Sequence, residues 1–260
     1  MTGVNIHPTA IVGNGARLGK DVTVGPYAVI GPKVSIGEGC TIGAHAVVDG
    51  NTSLGCRNLV SPFASIGSRP QDLKYRDEDT LLQIGDDNQF REYCNVSLGT
   101  AGGGGITRIG SKNLFMVFTH VAHDCVIENQ TIVANGVAIA GHVSVGDGAV
   151  LGGLCAIHQF CRIGSLAMIA GGAMVAQDVV PYGMVHGDRA TINGLNVVGL
   201  RRIGAKADDL KSIKEMYHLV FDSNLLLAEA VRRIESEVED SKHKTLWLEF
   251  LKKGDRGICR

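Results

Sequence analysis

Aliphatic residues recur at every sixth position over the first two thirds of the chain. A helix would need apolar residues three and four positions apart, and a half-buried strand would need simple alternation. Hexads that combine one aliphatic residue with a small or glycine turn residue instead predict a parallel β-helix, whose rungs are stabilised by stacking on their neighbours. The first unbroken run of hexads comprises Ile6, Val12, Leu18, Val24, Ile30, Ile36, Ile42, Val48, Leu54, Val60 and Ile66.

The hexad spacing is interrupted twice before it runs unbroken from Ile109 to Val175. The first interruption covers residues 68–83, and the second covers residues 97–105 with four consecutive glycines. We expect both to be loops that leave the solenoid, because such excursions often carry binding groups. For the first loop, a solvated charged segment is an open alternative. The glycine run is not a phosphate-binding loop, since no Lys-Ser/Thr pair follows it.

The apolar period becomes helical after about Gly204. Residues three and four apart form three stripes, which predict the core faces of a small group of helices packed on the end of the solenoid. The stripes comprise Leu210, Ile213, Met216, Tyr217, Val220 and Phe221, then Leu227, Ala230, Val231, Ile234 and Val238, and finally Leu246, Trp247, Phe250 and Leu251. The predicted fold is therefore mainly β, with a parallel β-helix over residues 1–190 and a C-terminal α-helical domain over residues 191–260.

The composition narrows the class of protein. The 260 residues are enough to bury a sizeable core, and the formal net charge of −1 gives no argument for binding nucleic acid or a membrane surface. No basic segment followed by an apolar run begins the chain, and no uncharged stretch reaches transmembrane length. Seven cysteines without a CxxC pair favour a reducing compartment. We therefore expect a cytoplasmic protein without stable membrane insertion.

Four of the nine histidines lie between positions 119 and 159. If three hexads form one coil, residues eighteen apart stack with a spacing of roughly 4.8 Å. His123 then lies under Gly141, which lies under Gln159, and the other three histidines lie beside this column. The sequence thus predicts a functional site on one edge of the prism, which a purely structural solenoid would not need. The clustered histidines are His120, His123, His142 and His158.

Two chemistries suit this cluster. An imidazole titrates near neutral pH and can act as a general base. Imidazole is also a common zinc ligand, and carbonic anhydrases of the β-helical class hold zinc with histidines at subunit interfaces. In this chain a zinc ion would need His120, His123 and His142 as its three ligands. The residues alone leave both chemistries open.

Several motifs in the chain resemble the UDP-N-acetylglucosamine O-acyltransferases. They are HVAHDC at 120–125, AGH at 140–142, HQFC at 158–161, QDLKY at 71–75 and VAQDV at 175–179. The resemblance implies a left-handed β-helix and a homotrimer with sites between subunits. It also implies transfer of an (R)-3-hydroxyacyl group from acyl carrier protein to the 3-hydroxyl of UDP-N-acetylglucosamine, the first step of lipid A biosynthesis. No metal or dissociable cofactor is implied.

The resemblance assigns roles to individual residues. His123 matches the general base that takes the proton from the attacking hydroxyl, and Gly141 matches the backbone N–H that stabilises the thioester oxyanion. Asp124 matches a residue that orients the base, although neighbours on a strand point to opposite faces. Gly171, with Met168 nearby, matches the residues that set acyl-chain length. The remaining matches, all to substrate-binding residues, are Asp72, Lys74, His120, His142, His158, Gln159, Asn196 and Arg202.

Three departures from the family pattern leave the acceptor open. Ser97-Leu98-Gly99-Thr100 stands where the family commonly has His-Arg-Gly-Thr, Val198 where an acidic residue is common, and Ile203 where a second arginine is common. Each removes a polar group near the implied sugar and nucleotide sites, so a 3-amino sugar analogue is an alternative acceptor. A related N-acyltransferase of the same pathway carries an additional N-terminal domain, for which hexads beginning at Ile6 leave no room.

Overall fold

A coiled, three-sided prism forms the main body of the protein. The computed structural model describes residues 3–260. The chain winds as a left-handed parallel β-helix in which strands of three sheets, here named A, B and C, follow one another along each coil. The edges of the prism are named AB, BC and CA after the sheets that they join. Four α-helices follow at the C-terminal end.

Within residues 3–260 the three sheets contain eleven, nine and eight strands, and all pairings are parallel except the last pair of sheet A. Sheet A consists of Asn5–Ile6, Thr23–Val24, Thr41–Ile42, Leu59–Val60, Gln89–Phe90, Leu114–Phe115, Ile132–Val133, Val150–Leu151, Met168–Ile169, Gly183–His186 and Thr191–Leu195. Sheet B consists of Ile11–Val12, Val29–Ile30, Val47–Val48, Ser65–Ser68, Asn95–Ser97, His120–Val121, Ala138–Ile139, Ala156–Ile157 and Met174–Val175. Sheet C consists of Arg17–Leu18, Ser35–Ile36, Asn51–Leu54, Leu81–Ile84, Ile106–Ile109, Val126–Ile127, Ser144–Val145 and Arg162–Ile163.

The core of the prism is built by the aliphatic residue of each hexad. Val121, Ile139 and Ile157 lie in register on adjacent strands of sheet B, and each is at most 1% exposed. Each inward side chain therefore has a partner above and below, and burial comes from stacking between coils. Ile6 is 43% exposed, because its strand ends sheet A and has a neighbour on one side only.

Both interruptions of the hexads are loops on edge BC, and both are shorter than the predicted 68–83 and 97–105. The first spans residues 69–80 and the second spans residues 98–105. The predicted bounds are wrong because Leu81–Ile84 is a full strand, which pairs with Asn51–Leu54 on one side and Ile106–Ile109 on the other. Ser68 and Ser97 also belong to strands, where they pair with each other.

A hairpin and four helices cover the C-terminal end of the prism. The antiparallel hairpin of Gly183–His186 and Thr191–Leu195 continues sheet A beyond residue 190, and the division into 1–190 and 191–260 remains a prediction. The first helix lies in a segment whose sequence showed no helical period. No helix among residues 3–260 is long and apolar enough to cross a membrane. The helices are α1 (Val197–Arg202), α2 (Ala207–Tyr217, followed by a π-helical turn at His218–Asp222), α3 (Leu227–Glu237) and α4 (Lys242–Lys252).

A buried ion pair holds the helices against the last coil. Arg162 Nη2 lies 2.7 Å from Asp178 Oδ2, and the carboxylate is only 1% exposed. The Arg162 guanidinium also lies over the ring of Phe250 in α4, 4.2 Å from its centroid. Asp178 pairs through its backbone with Ile258, so the Arg162–Asp178 pair links the prism to both the helical region and the C-terminal segment.

Loss of a stacked core side chain should destabilise the whole prism. We expect Ile139→Ala to lower the free energy of unfolding by about 2–5 kcal/mol, because the surrounding coils cannot close the resulting cavity. Ile11→Ala is the matched control, since Ile11 lies on the same sheet but is 64% exposed. Denaturant unfolding of both variants measures the difference, and equal losses would contradict a core built by stacking.

Candidate active site

Edge BC brings the histidine cluster and both loops together. His123 lies in the turn between His120–Val121 of sheet B and Val126–Ile127 of sheet C. The loops at 69–80 and 98–105 leave the same edge in the two preceding coils. The next two coils place Gly141 and then Gln159 above His123, as the eighteen-residue spacing predicted.

Gly141 packs directly against the imidazole of His123. A Cβ atom at position 141 would lie 2.7 Å from His123 Cε1 and 2.9 Å from Nε2, which is closer than side chains approach. Any larger residue at this position would displace the ring, so glycine preserves the position of the His123 imidazole. Among the backbone hydrogen bonds of residues 3–260, the flanking Ala140 and His142 donate their N–H groups, but Gly141 does not. The N–H of Gly141 is left for another acceptor.

His123 and Asp124 form a hydrogen-bonded dyad. Asp124 Oδ2 accepts a hydrogen bond from His123 Nδ1 at 2.7 Å. The expectation that adjacent side chains point to opposite faces is wrong here, because Asp124 occupies a corner with φ 59° and not a strand. A carboxylate only accepts hydrogen bonds, so the proton of the neutral His123 lies on Nδ1. The lone pair of Nε2 is then free to take a proton.

Thr100 is a site residue that the sequence reasoning missed. Its backbone N–H donates to Asp124 Oδ1 at 2.8 Å, and its hydroxyl donates to Asp124 Oδ2 at 2.6 Å. The eighteen-residue rule does not align the two, because the loop at 98–105 lengthens this coil and shifts the register to Asn95 against His120. A usable signal was the position of Thr100 in a loop on the same edge.

A chain of hydrogen bonds orients the imidazole of His120. Ser68 Oγ donates to Val96 O at 3.2 Å and accepts from Asn95 Nδ2 at 2.9 Å. Asn95 Oδ1 therefore faces His120 Nδ1, 2.9 Å away, and accepts a hydrogen bond from the N–H there. Burial lowers the pKa of His120, and the neighbouring His123 lowers it further. His120 consequently presents Nε2 as a hydrogen-bond acceptor.

His142 and Phe160 continue the column that begins at Asp124. His142 Nε2 lies 3.8 Å from Asp124 Oδ2, and the imidazole stacks on Phe160 with 4.4 Å between ring centroids. Burial lowers the pKa of His142, an effect that the Asp124 carboxylate partly opposes. His142 is therefore mainly uncharged at neutral pH. His158 and Gln159 lie on the same edge with exposed side chains.

The loop at 69–80 folds back over the edge and closes one side of the site. Asp72 lies close enough to His142 to oppose the lowering of its pKa, and Lys74 is exposed beside it. Two adjoining clefts result, of about 370 and 510 Å³. The loop contributes Gln71, Asp72, Leu73 and Lys74 to their walls, and the prism contributes His120, His123, Gly141, His142, Gln159 and Phe160.

Four of the residues matched by resemblance lie elsewhere on the protomer. Met168 belongs to a strand of sheet A, and Gly171 lies in the following turn on edge AB. Asn196 caps α1, where its side chain accepts from Gly199 N and donates to Leu166 O. Arg202 is the last residue of α1. Within one protomer these four are not brought to edge BC.

The predicted zinc ligands are not assembled around one centre. Within residues 3–260, the only set of three metal-ligating side chains with closely spaced donor atoms is His123, Asp124 and His142, whose atoms lie within 4.8 Å of one another. This set lacks His120, which the zinc alternative requires. Two of its atoms already face each other across the 2.7 Å hydrogen bond between His123 and Asp124.

Two family models match parts of the chain. The model described as UDP N-acetylglucosamine O-acyltransferase, domain 2, matches residues 178–259, and the model of bacterial transferase hexapeptide repeats matches residues 15–50. The first match covers the hairpin and helices, and the second covers coils near the N-terminus. Together they fall on both structural parts of the chain.

Whole-chain comparisons agree with these matches. An acyl-[acyl-carrier-protein]–UDP-N-acetylglucosamine O-acyltransferase of Myxococcus xanthus is 49% identical over 98% of this chain and 99% of its own length. The enzyme of the same name from Anaeromyxobacter dehalogenans is 52% identical with the same coverage. The solved structure of LpxA from Acinetobacter baumannii superposes with a TM-score of 0.96 at 42% identity, covering 98% of this chain and 99% of that one. The chain belongs to the acyl-[acyl-carrier-protein]–UDP-N-acetylglucosamine O-acyltransferase family.

Proposed function

We propose that this protein transfers an (R)-3-hydroxyacyl group from acyl carrier protein to the 3-hydroxyl of UDP-N-acetylglucosamine, the first step of lipid A biosynthesis. The observation that carries the proposal is the position of His123 Nε2 beside the N–H of Gly141, neither of which has a hydrogen-bond partner among residues 3–260. A base and an oxyanion donor in contact are what acyl transfer from a thioester requires. The names of the relatives supply the acyl carrier protein and the sugar nucleotide.

The reaction follows from the positions of these groups. His123 Nε2 takes the proton of the sugar 3-hydroxyl as its oxygen attacks the thioester carbonyl carbon. The carbonyl oxygen becomes an oxyanion and accepts the N–H of Gly141. When the tetrahedral intermediate collapses, the carbon–sulfur bond breaks, and the departing thiolate receives the proton from the His123 imidazolium. Asp124 stabilises that imidazolium through Nδ1. No metal or dissociable cofactor takes part.

The acceptor is proposed to lie between the loop at 69–80 and the column above His123. Asp72 and the neutral His142 offer partners for sugar hydroxyls, and His120 Nε2 offers an acceptor for another hydroxyl. Lys74 offers a cation for the diphosphate. Gln159 and His158 extend the polar wall along the same edge.

A homotrimer with sites between neighbouring copies accounts for the residues that lie far from edge BC. Asn196 and Arg202 would then be supplied by a second copy to the nucleotide, and Met168 and Gly171 to the acyl chain. The outer face of sheet B supports this arrangement, because Ala138 and Ala156 form a shallow apolar floor next to His120. We further propose that the enzyme works in the cytoplasm.

Neither alternative activity gains support from the relatives. Those named above are O-acyltransferases of UDP-N-acetylglucosamine and not zinc enzymes or enzymes of a 3-amino sugar. Val198 and Ile203 are both exposed. Leu98 is buried against Gly50, so it fills space in the prism where the family commonly has a charged residue.

Loss of the base should abolish turnover without unfolding the protein. We expect His123→Ala to lower kcat by about 10²–10⁴-fold, the usual contribution of a general base. His218→Ala is the matched control, because His218 is an exposed histidine of the helical region. Mass spectrometry of the product formed from hydroxyacyl thioesters and UDP-N-acetylglucosamine measures the rate. Activity within tenfold of wild type would remove His123 as the base, and a wild-type protein that forms no acylated sugar nucleotide would refute the function.

Removal of the Lys74 ammonium should weaken binding of the sugar nucleotide. We expect Lys74→Ala to raise KM for UDP-N-acetylglucosamine by about tenfold or more, as for a lost charged hydrogen bond. The effect should shrink at high salt, because the side chain is exposed. Lys20→Ala provides an exposed lysine outside edge BC for comparison. An unchanged KM at low ionic strength would show that Lys74 does not contact the diphosphate.

Bulk at position 171 should shorten the preferred acyl chain. We expect the wild type to prefer a hydroxymyristoyl-sized donor, and Gly171→Ala and Gly171→Met to shift preference stepwise towards shorter donors. Each buried methylene contributes about 0.8 kcal/mol, so excluding three or four changes the preference by about a hundredfold. The turn itself places its left-handed glycine at Gly172 (φ 70°), and a Cβ at Gly171 meets only Gly153 O at 3.3 Å and Gly153 N at 3.9 Å.

Competition between mixed acyl thioesters measures this preference directly. If Gly171 serves only the turn, the variants should lose thermal stability, and their activity with all acyl donors should fall equally. An unchanged product profile in a folded Gly171→Met would exclude position 171 from the control of chain length.

A further inference from the structure

The carboxylate of Asp124 is a buried charge with an unusually complete set of donors. Its side chain is 1% exposed, and burying an unpaired carboxylate is costly. Its two oxygens receive the N–H of Thr100 at 2.8 Å, the hydroxyl of Thr100 at 2.6 Å and His123 Nδ1 at 2.7 Å. The backbone N–H of Asp124 is fixed as well, because it donates to Thr107 Oγ1 at 2.8 Å.

The glycine run gives the loop the shape that brings Thr100 to this carboxylate. After Thr100 the chain makes a 3-10 turn at Ala101–Gly103, and Gly104 (φ 95°) and Gly105 (φ 81°) both adopt the left-handed region that glycine tolerates. A Cβ atom at Gly103 would overlap the Asp124 carboxylate. The N–H of Gly105 returns to Thr100 O at 2.8 Å and closes the turn. The loop at 98–105 is thus folded onto Asp124.

We propose that Thr100 is a positioning residue for the reaction, which acts by locking the Asp124 carboxylate against the catalytic imidazole. The N–H group holds Oδ1 and the hydroxyl holds Oδ2, so together they fix the plane of the carboxylate. Oδ2 then meets His123 Nδ1 in a geometry that leaves Nε2 beside Gly141. The inference rests on the proposed function, since it assumes that His123 is the base.

Removal of the Thr100 hydroxyl tests whether Thr100 positions Asp124 for the reaction or only holds the loop at 98–105 in place. We expect Thr100→Val to lower kcat by about ten- to a hundredfold, the rate equivalent of one hydrogen bond to a charged group. KM for UDP-N-acetylglucosamine should change less than threefold, because Thr100 lines neither cleft. Thr100→Ser retains the hydroxyl and should restore at least a third of the wild-type rate. Thr100→Ala removes the hydroxyl without a new methyl group and should behave as Thr100→Val.

Thr131 supplies a closely matched control. It is fully buried, and both its N–H and its hydroxyl donate to Asn113 Oδ1, at 2.7 and 2.8 Å. It lies on edge CA, away from the dyad. Thr131→Val therefore removes an equivalent buried hydrogen bond and should lower thermal stability while leaving kcat within twofold of wild type.

A double-mutant cycle with Asp124→Ala decides whether Thr100 acts through Asp124. In the Asp124→Ala background we expect Thr100→Val to lower kcat by less than a further twofold, because the carboxylate that Thr100 positions is absent. Additive losses, an unchanged kcat in a folded Thr100→Val, or no rescue by Thr100→Ser would each overturn the inference. Failure of the proposed function itself has a different signature, since the wild type would then form no acylated sugar or His123→Ala would remain active.

Discussion

Parallel stacking of one coil on the next is the interaction on which the rest of the structure depends. Most strands of the prism contain only two residues, so no coil can bury its own aliphatic side chains. Burial arises because Val121, Ile139 and Ile157 lie in register and shield one another. The same register also aligns the remaining positions of each hexad in columns along the prism. A functional group placed in one coil is thereby held at a fixed height against the groups eighteen residues away.

The geometry of the site is a consequence of these columns. His123 meets Gly141 because one coil separates them, and a larger residue at 141 would displace the ring. Asp124 meets His123 because a corner residue with φ 59° turns its side chain back along the edge. Loops enter where the backbone turns between sheets, since an insertion there leaves the strand ladders intact. Both loops occupy edge BC just before the dyad, so both can fold onto it.

Sequence periodicity predicted the coils and the contact of His123 with Gly141, because both follow from spacing alone. It failed where local geometry departs from the repeat. Alternation along a strand argued against the contact of Asp124 with His123, but the residue lies at a corner. Thr100 was missed because the glycine loop shifts the register. Crossover connections between parallel strands are usually right-handed, so only the family resemblance predicted a left-handed helix. A contribution from a second copy, as proposed for Asn196, has no signal in one chain's periodicity.

The donors around Asp124 explain how a buried carboxylate can serve a base that changes charge. In the proposed mechanism His123 alternates between a neutral imidazole and an imidazolium. A carboxylate held by His123 alone would then face a charged partner in only one of the two states. Thr100 donates two hydrogen bonds to Asp124, and neither donor changes its charge. The carboxylate therefore keeps these two hydrogen bonds at every step of the proposed reaction. They remain on the carboxylate when the imidazole is neutral, and the carboxylate attracts the imidazolium when it forms. The glycine-rich loop thus supplies two of the three hydrogen bonds that the Asp124 carboxylate accepts.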